Sequence, residues 1–398
     1  MRNSEELNRD RYGSAYKIYV AGRTILITSS PKSILTMLHR KNTDFEIVDY
    51  LNLHIISGLD EARMPKIWPA VLEVFSISHS LFTTNRISPL MNTYNTTIVQ
   101  HFRRMTASED PTTYSLDEFV FSANHFAVYG MLMGTNFNCK SKTYNHWRAY
   151  DNGVHNIIRR LPFFSRGAIQ GREHLLETVS AHIQQYWADS GEGGHLNGAS
   201  EVMSVVARKL KQSAATEEET SRIINYLLWG TAGNIARLTN WVMRYIVVYP
   251  DVYQAIRQEI QQVVDTKYTQ FDQLLQLDPR TLGSDFPLLS STINEVIRLL
   301  SQAIILRRAT VDTFLTDDNG LDVPVSRGDY ILADTQGYHH SDDHFEDAQR
   351  FKPDRYTQSQ APNRSLAFSA GPHVVSSFLC MAFKRVNHKF PSALGHFY

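Results

Sequence analysis

Residues 291–300 read S-T-I-N-E-V-I-R-L-L. Glu295 and Arg298 stand three positions apart, so on a helix both charges lie on one face and can pair. Their neighbours are mostly apolar, which indicates burial, and a buried ion pair is tolerated only when it is fully hydrogen-bonded. The alternative is an ordinary ion pair on an exposed helix surface.

A second charged position lies further along the chain, in F-K-P-D-R-Y, residues 351–356. Its arginine, Arg355, is a candidate third member of a buried network with Glu295 and Arg298. Such a network would supply the hydrogen bonds that a buried pair requires.

Three histidines precede this segment, in H-H-S-D-D-H, residues 339–344. His339, His340 and His344 are candidate metal ligands, because imidazole nitrogens bind zinc and related metals. No soft ligand stands nearby, and the alternative is an ordinary loop rich in Asp and His.

Residues 221–250 predict a long helix, because apolar residues recur every three or four positions. Pro250 is expected to stop it, and a shorter helix is predicted over 252–265. The acids within 212–222 are typical of a helix start. The positions that carry the periodic face are Ile224, Leu228, Thr231, Ile235, Leu238, Val242 and Tyr245.

A step of small residues, Thr231-Ala232-Gly233, interrupts this helix. Glycine inside a helix costs about 1 kcal/mol relative to alanine, so the step needs a reason. It permits either close packing of a neighbouring helix or close approach of a flat ligand.

The rest of the chain predicts a mainly helical protein with small β-sheets near both ends. Residues 16–29 form two β-rich runs and predict a hairpin. Ser30 and Pro31 then open a helix. Residues 60–275 are mostly helical in pattern apart from a loop at 190–199, and short β-like runs follow after 300.

Near the C-terminus, F-S-A-G-P-H-V spans residues 368–374. It places Phe368, Gly371 and His373 close together, and alone it predicts a turn.

Four pieces stand in one order: A-G-N, E-x-x-R, F-K-P-D-R-Y and F-S-A-G-P-H. That order and spacing resemble the cytochrome P-450 (heme-thiolate) family, over about residues 10–373. The stretch L-W-G-T-A-G-N is similar to the branch with prostacyclin synthase and the steroid 7-alpha-hydroxylases, and fungal members of secondary metabolism look alike. The resemblance implies a single cytochrome P-450 domain over 1–398, with heme as cofactor.

The resemblance also assigns roles. Glu295, Arg298 and Arg355 would form the structural triad behind the heme. Arg308 would reach a heme propionate, since a guanidinium fits a carboxylate in bidentate fashion, and His373 would reach one from the ligand loop. The ligand-loop positions implied are Phe368 and Gly371.

The same resemblance places Ala232, Gly233 and Asn234 over the distal heme face, as the catalytic segment. Many family members follow this with an acid and a threonine that deliver protons, but here Ile235 and Ala236 occupy those positions. The pattern is therefore compatible with isomerisation or dehydration as well as with hydroxylation.

The main departure concerns the iron ligand. The family loop runs Phe-x-x-Gly-x-x-x-Cys-x-Gly, and counting from Phe368 puts Val375 at the cysteine and Ser377 at the glycine. Valine has no lone pair for iron, so oxygen activation is predicted to be severely impaired. Cys380, five positions later, is predicted to be a small buried hydrophobe; as a substitute ligand it would need a rearranged loop.

Both ends also depart from the family. The chain starts close to the first sheet, and its tail, 374–398, is atypical, so the fold is expected to be truncated at both ends. A frameshift, a retained intron or a mistaken gene model near codon 374 is one explanation, and genuine evolution is the alternative.

Composition narrows the class of protein. Forty basic and 40 acidic residues give zero formal net charge, which argues against nucleic acid as a partner. Two cysteines, Cys139 and Cys380, fit a reducing compartment. No signal peptide and no run of about 20 apolar residues is evident, so the chain is predicted to be cytoplasmic, and soluble or at most peripherally attached, whereas family relatives lie at the endoplasmic reticulum membrane. A monomer is also predicted.

The sequence therefore predicts a protein of heme-dependent monooxygenase lineage that acts on a sterol, terpenoid or polyketide, with NADPH–P-450 reductase as partner if heme is active. The alternatives are a heme-independent cyclase, dehydratase or isomerase on the same fold, and a non-catalytic remnant.

Overall fold

The structure is a computed structural model, and it describes most of the chain between Gly13 and Ala367. The described residues are 13–20, 22–39, 42–44, 46–81, 84–106, 115–134, 137, 141–189, 196, 198–268, 270, 273–274, 281–301, 304–357 and 365–367.

Helices dominate the described part of the chain, as the sequence predicts. They are α1 (Pro31–His39), α2 (Glu46–Ser57), α3 (Met64–Leu81), α4 (Thr84–Thr106), α5 (Leu116–Met133), α6 (Ser141–Ile158), α7 (Pro162–Asp189), α8 (Glu201–Lys211), α9 (Glu217–Val248), α10 (Pro250–Lys267), α11 (Leu282–Asp285), α12 (Pro287–Leu300) and α13 (Thr335–His339).

The strands form two sheets. They are β1 (Ala15–Val20), β2 (Arg23–Thr28), β3 (Thr43–Asp44), β4 (Ile304–Ala309), β5 (Thr313–Thr316), β6 (Asp322–Val325) and β7 (Tyr330–Asp334). Five of them lie in the order β1-β2-β7-β4-β3, and β5 pairs with β6. The predicted hairpin at 16–29 is β1–β2. The sequence pattern indicated small sheets near both ends, and the structure joins strands from both ends in one sheet.

The pairing of β2 with β7 connects the strands from the two ends of the chain. The two strands run parallel, with Ile25 opposite Tyr330 and Thr28 opposite Ala333. Leu26 and Ile331 are fully buried there, so the sheet has its own apolar core, separate from the larger helical core of α2–α9.

Helix α9 begins with a complete capping box. Thr216 accepts a hydrogen bond from the Glu219 amide, and the Glu219 carboxylate accepts one from the Thr216 amide. Acids in the first turn complement the helix dipole. The helix ends at Val248, and Pro250 stands at the first turn of α10, close to the predicted break.

Helices α6 and α7 form an antiparallel hairpin with very close backbones. An ideal Cβ on Gly171 would lie 2.5 Å from the His146 carbonyl oxygen and 3.0 Å from the Tyr150 amide nitrogen. Any larger residue there would force the helices apart. The hairpin packs on α9, which positions α6 beside the Ala232–Gly233 step.

Among the described residues, none of the helices combines the length and the apolar character needed to cross a membrane.

Candidate functional site

Helix α12 carries the charged pair that the sequence singled out. Its start is held by Glu259 of α10, whose carboxylate accepts from the amides of Leu288 and Leu289 at 2.7 and 2.9 Å. Glu295 and Arg298 are fully buried, and the guanidinium donates two hydrogen bonds to the carboxylate, at 2.8 and 2.9 Å. The buried, bidentate pair excludes the alternative of a surface ion pair.

Arg355 reaches the same carboxylate from a different segment. Its Nε donates to Glu295 Oε2 at 2.9 Å, and the Lys352 amide donates to Oε1 at 3.1 Å. Two guanidiniums and one amide thus satisfy Glu295. We call Glu295, Arg298 and Arg355 the Glu295 network.

The outer nitrogens of the two arginines hold backbone carbonyls. Arg298 Nη1 donates to the His339 oxygen at 2.5 Å, and Arg355 Nη1 donates to the Glu346 oxygen at 2.7 Å. The Arg298 guanidinium also lies 5.2 Å from the centre of the Phe345 ring, a cation–π distance. The network therefore fixes residues 339–355 against α12, while its predicted place behind a heme stays a prediction.

The three candidate metal ligands have other partners. His339 is buried, and its Nε2 lies 2.9 Å from the Leu366 amide nitrogen, so that nitrogen accepts. Burial, with the positive charge of Arg298 as a smaller cause, lowers the pKa of His339 to about 3. His340 Nε2 bonds the Leu299 carbonyl at 3.0 Å, and His344 packs on the Tyr338 ring. Within the described ranges no cluster of metal-ligating side chains occurs.

The small-residue step of α9 contacts α6. Ala232 and Gly233 are buried and Asn234 is exposed. An ideal Cβ on Gly233 would lie 3.1 Å from the Asp151 Oδ1 and 2.9 Å from the Arg237 Nη1. Close packing of a neighbouring helix thus accounts for Gly233, and the distal role of these three residues stays a prediction.

Asp151, on α6, is a residue that the sequence analysis missed. Its side chain is 2% exposed, and its Oδ1 accepts from Trp229 Nε1 at 3.1 Å and from Arg237 Nη2 at 2.5 Å. Arg148 Nη1 lies 3.9 Å from Oδ2. Local spacing signals only the longer contact with Arg148, three positions earlier on α6, because the two hydrogen-bond donors come from another helix.

A second carboxylate contacts α9 nearer the C-terminal end of that helix. Asp117, on α5, accepts from Asn240 Nδ2 and from Arg244 Nη2, both at 2.7 Å. The Arg244 guanidinium is the main cause that lowers the pKa of Asp117. We call the pairs Asp151–Arg237 and Asp117–Arg244 the α9 ion pairs.

Two neighbouring arginines on β4 face opposite ways. Arg308 is 39% exposed on its side chain, and its Nη2 lies 3.9 Å from Asp44 Oδ2 of β3. Arg307 is only 2% exposed, in the strand register opposite Ile331. Arg307 is therefore the arginine whose guanidinium faces inward. The alternation of side chains along a strand is the sequence signal that could have identified it.

The loop that defines the iron site lies outside the described residues. Phe368, Gly371, His373, Val375 and Cys380 all belong to that part, as does Cys139. Their predicted roles rest on the sequence alone.

A family model described as Cytochrome P450 matches residues 2–374. The match covers nearly the whole chain and includes every described residue. It agrees with the mainly helical architecture and with the order of the sequence motifs.

Individual relatives are distant. Human prostacyclin synthase (Homo sapiens) is 20% identical over 337 residues, which are 81% of this chain and 65% of the relative. Human steroid 21-hydroxylase is 20% identical over 390 residues, 92% of this chain and 76% of the relative. The pig (Sus scrofa) 5-beta-cholestane-3-alpha,7-alpha-diol 12-alpha-hydroxylase is 19% identical over 228 residues, 57% and 43%. The chain thus spans under two thirds of the length of prostacyclin synthase.

Proposed function

Because the chain belongs to the cytochrome P450 family, we propose that it descends from a heme-dependent monooxygenase of lipophilic metabolites and that, with Val375 at the ligand position, it does not activate oxygen through a thiolate-ligated iron. The family implies heme as cofactor. Val375 carries the second half of the proposal, because an alkyl side chain offers iron no electron pair.

A buried arginine suits a carboxylate of the heme, whereas Val375 cannot ligate the heme iron. The buried Arg307 would hold a carboxylate of the heme, a role for which Arg308 is less suited because its guanidinium faces Asp44. The Glu295 network would keep residues 339–355 in place. When bound with a cysteinate, the heme supplies oxygen activation, and this is the function that Val375 removes.

The substrate class follows from the lineage. Relatives named for prostacyclin synthesis and for steroid hydroxylation support a lipophilic small molecule, such as a sterol, terpenoid or polyketide. The chain is proposed to act as a monomer, and a chain restored to heme activity would take electrons from NADPH–P-450 reductase.

The test is a set of absorption spectra of the reduced protein with carbon monoxide. We expect no thiolate-type band in the chain as it stands, and a thiolate-type band in Val375→Cys. Val374→Cys is the matched control, because it adds the same thiol one position away. A thiolate band in the unaltered chain that disappears in Cys380→Ala would overturn the proposal and assign the ligand to Cys380.

A second candidate function is supported by Asp151. A carboxylate beside the Ala232–Gly233 step that accepts hydrogen bonds from an arginine and a tryptophan is a candidate general base for a substrate bound against this step. This favours a heme-independent isomerase, dehydratase or cyclase. Conversion of a terpenoid or sterol substrate with neither iron nor reductase, and its loss in Asp151→Asn, would identify this chemistry.

A further inference from the structure

Two histidines face each other across the α6–α7 hairpin. The rings of His146, on α6, and His174, on α7, have their centres 4.5 Å apart and their planes within 10° of parallel. His174 is exposed and His146 is half-buried, so ions in solution can reach the pair. No group of three or more metal-ligating side chains occurs among the residues that the structure describes, and the proposed function gives this pair of imidazoles no role.

The close approach of the two helices holds the rings at this separation. An ideal Cβ on Gly171, one turn before His174, would lie 2.5 Å from the His146 carbonyl oxygen, so the two backbones are nearly in contact here. Two imidazoles at neighbouring positions of one metal ion, each with its nitrogen about 2 Å from the ion, have ring centres about 4.5–5 Å apart. The rings must therefore turn to share an ion, but the helices need not move.

The hydrogen bond of His174 leaves one of its nitrogens ready for a metal ion. Nδ1 lies 2.7 Å from the Gln170 carbonyl oxygen, and since a carbonyl only accepts, Nδ1 carries the proton. Nε2 of the neutral ring then keeps its lone pair. Histidines that ligate metals donate their second N–H to a backbone carbonyl or carboxylate in this way, which fixes the tautomer and the orientation of the ring.

The surroundings of His146 favour the uncharged ring. Burial is the main cause that lowers the pKa of His146, and the neighbouring His174 is the second cause. Lys142, one turn earlier on α6, acts in the same direction, whereas Glu177 of α7 opposes it. Because only the neutral imidazole binds a metal ion, the pair can act as a ligand near neutral pH.

We propose that His146 and His174 together bind one divalent transition-metal ion of the copper and zinc class, which ties α6 to α7. Water completes the coordination. Glu177 lies three positions after His174 on the same helix face and places a negative charge near the ion. Imidazole nitrogens suit Cu²⁺, Ni²⁺ and Zn²⁺, whereas Mg²⁺ and Ca²⁺ prefer oxygen ligands.

The first experiment is calorimetric titration of the full chain, purified without a histidine tag, with Cu²⁺ or Zn²⁺ near neutral pH. We expect a strongest site that takes one ion per chain, and no binding of Mg²⁺ there. His146→Asn and His174→Asn should each weaken this site by about 100-fold, since loss of even the partner of a ligand costs about 10–100-fold in metal affinity.

Matched variants separate the pair from the other histidines of the chain. His155→Asn removes an imidazole that is also exposed on α6 but lies more than two turns from His146, and it should leave the affinity unchanged. Glu177→Gln should weaken binding and Lys142→Gln should strengthen it, each by about two- to threefold, because each removes one charge near the ion. An equal loss in His155→Asn and in the two pair variants would overturn the proposal.

Electron paramagnetic resonance of the chain with one equivalent of Cu²⁺ identifies the ligands. We expect splitting from two imidazole nitrogens in the unaltered chain and from one in either pair variant. Zn²⁺ should raise the unfolding temperature of the unaltered chain, because the ion binds the folded form, and should not raise that of the double variant. A single nitrogen in the unaltered chain, or a strongest site that persists in the double variant, would overturn the proposal.

Discussion

The Glu295 network and the α9 ion pairs are both built from carboxylates and arginines, yet their surroundings differ. In the Glu295 network the carboxylate and both guanidiniums are enclosed, and backbone groups complete the hydrogen bonds. In the α9 ion pairs, Asp151 is buried, but its partner Arg237 is 45% exposed, and Asp117 and Arg244 are both half-exposed. Enclosure, rather than the number of pairs, decides what such a group contributes.

The comparison also separates their structural tasks. The Glu295 network joins a helix to the irregular segment 339–355, which is otherwise held by apolar side chains such as Phe345 in the core of the sheet and Phe351 against α9. The α9 ion pairs join helices that already pack through apolar residues. Loss of the first should loosen a segment, and loss of the second should weaken a contact.

The largest effect is expected for Glu295→Gln. It leaves two guanidiniums enclosed without their counter-charge, and breaking a buried pair in this way costs about 3–5 kcal/mol. Chemical denaturation measures the free energy of unfolding. Glu218→Gln is the control, because Glu218 pairs with Arg222 from an exposed position and should cost less than about 1 kcal/mol. Similar losses in both variants would contradict the distinction.

Asp151→Asn should have an intermediate effect, about 2 kcal/mol, because the hydrogen bonds from Arg237 and Trp229 lose the buried negative charge that strengthens them. The same substitution at Asp117, on the neighbouring pair, should cost less than about 1 kcal/mol. Urea unfolding of the two variants tests burial with identical chemistry. If Asp117→Asn were the more damaging, exposure would not be the deciding variable.

Acid should weaken the fold through its buried histidines. His339, beside the Glu295 network, and His125, in the helical core, have pKa values of about 3 because burial disfavours the charged ring. Their unfolded forms titrate near 6.5, so unfolding takes up protons as pH falls below that value. The contribution of these two histidines to the free energy of unfolding is therefore fully present above about pH 6.5 and is lost toward pH 3. The loss is roughly 2 kcal/mol per histidine at pH 5.

Denaturation midpoints between pH 7 and 5 measure this decline. His339→Asn and His125→Phe should each flatten the curve, whatever their effect at pH 7. His155→Asn, at an exposed position, should leave the slope unchanged. An unaltered slope in both buried variants would mean that other groups cause the acid sensitivity.

The smallest effect is expected for Gly233→Ala. The gain in helix propensity, about 1 kcal/mol, is offset because the new Cβ would lie 3.1 Å from the Asp151 carboxylate. Gly230→Ala, whose Cβ would meet nothing within 4 Å, should show the full gain. Thermal melts compare the stability of the two variants and of Gly233→Ala in an Asp151→Ala background. A gain that returns when Asp151 is removed would show that the close approach of α6 opposes it.

Local patterns predicted the elements better than the contacts between them. The spacing of Glu295 and Arg298 and the capping signals of α9 act within a few residues, so the sequence reveals them. Asp151 meets Arg237 only after α6 packs on α9, and no local pattern encodes that approach. Arg307 and Arg308 are adjacent, and only the strand's orientation in the sheet distinguishes the buried guanidinium from the exposed one.

The roles assigned by resemblance to the residues after Ala367 rest on the sequence. Family membership is established by the match over residues 2–374. Val375 and His373 keep roles that the sequence predicts, and the spectra with Val375→Cys address the first of them.

The parallel pairing of β2 with β7 has a consequence for synthesis. About 300 residues separate the two strands, so the ribosome finishes β7 roughly 15–60 s after β2, at about 5–20 residues per second. Until then the β1–β2 hairpin has no neighbour to cover its edge, and an isolated hairpin is marginal in water. The sheet must therefore close late, after the helical body has emerged, and a nascent chain paused before β7 would be the form most exposed to aggregation.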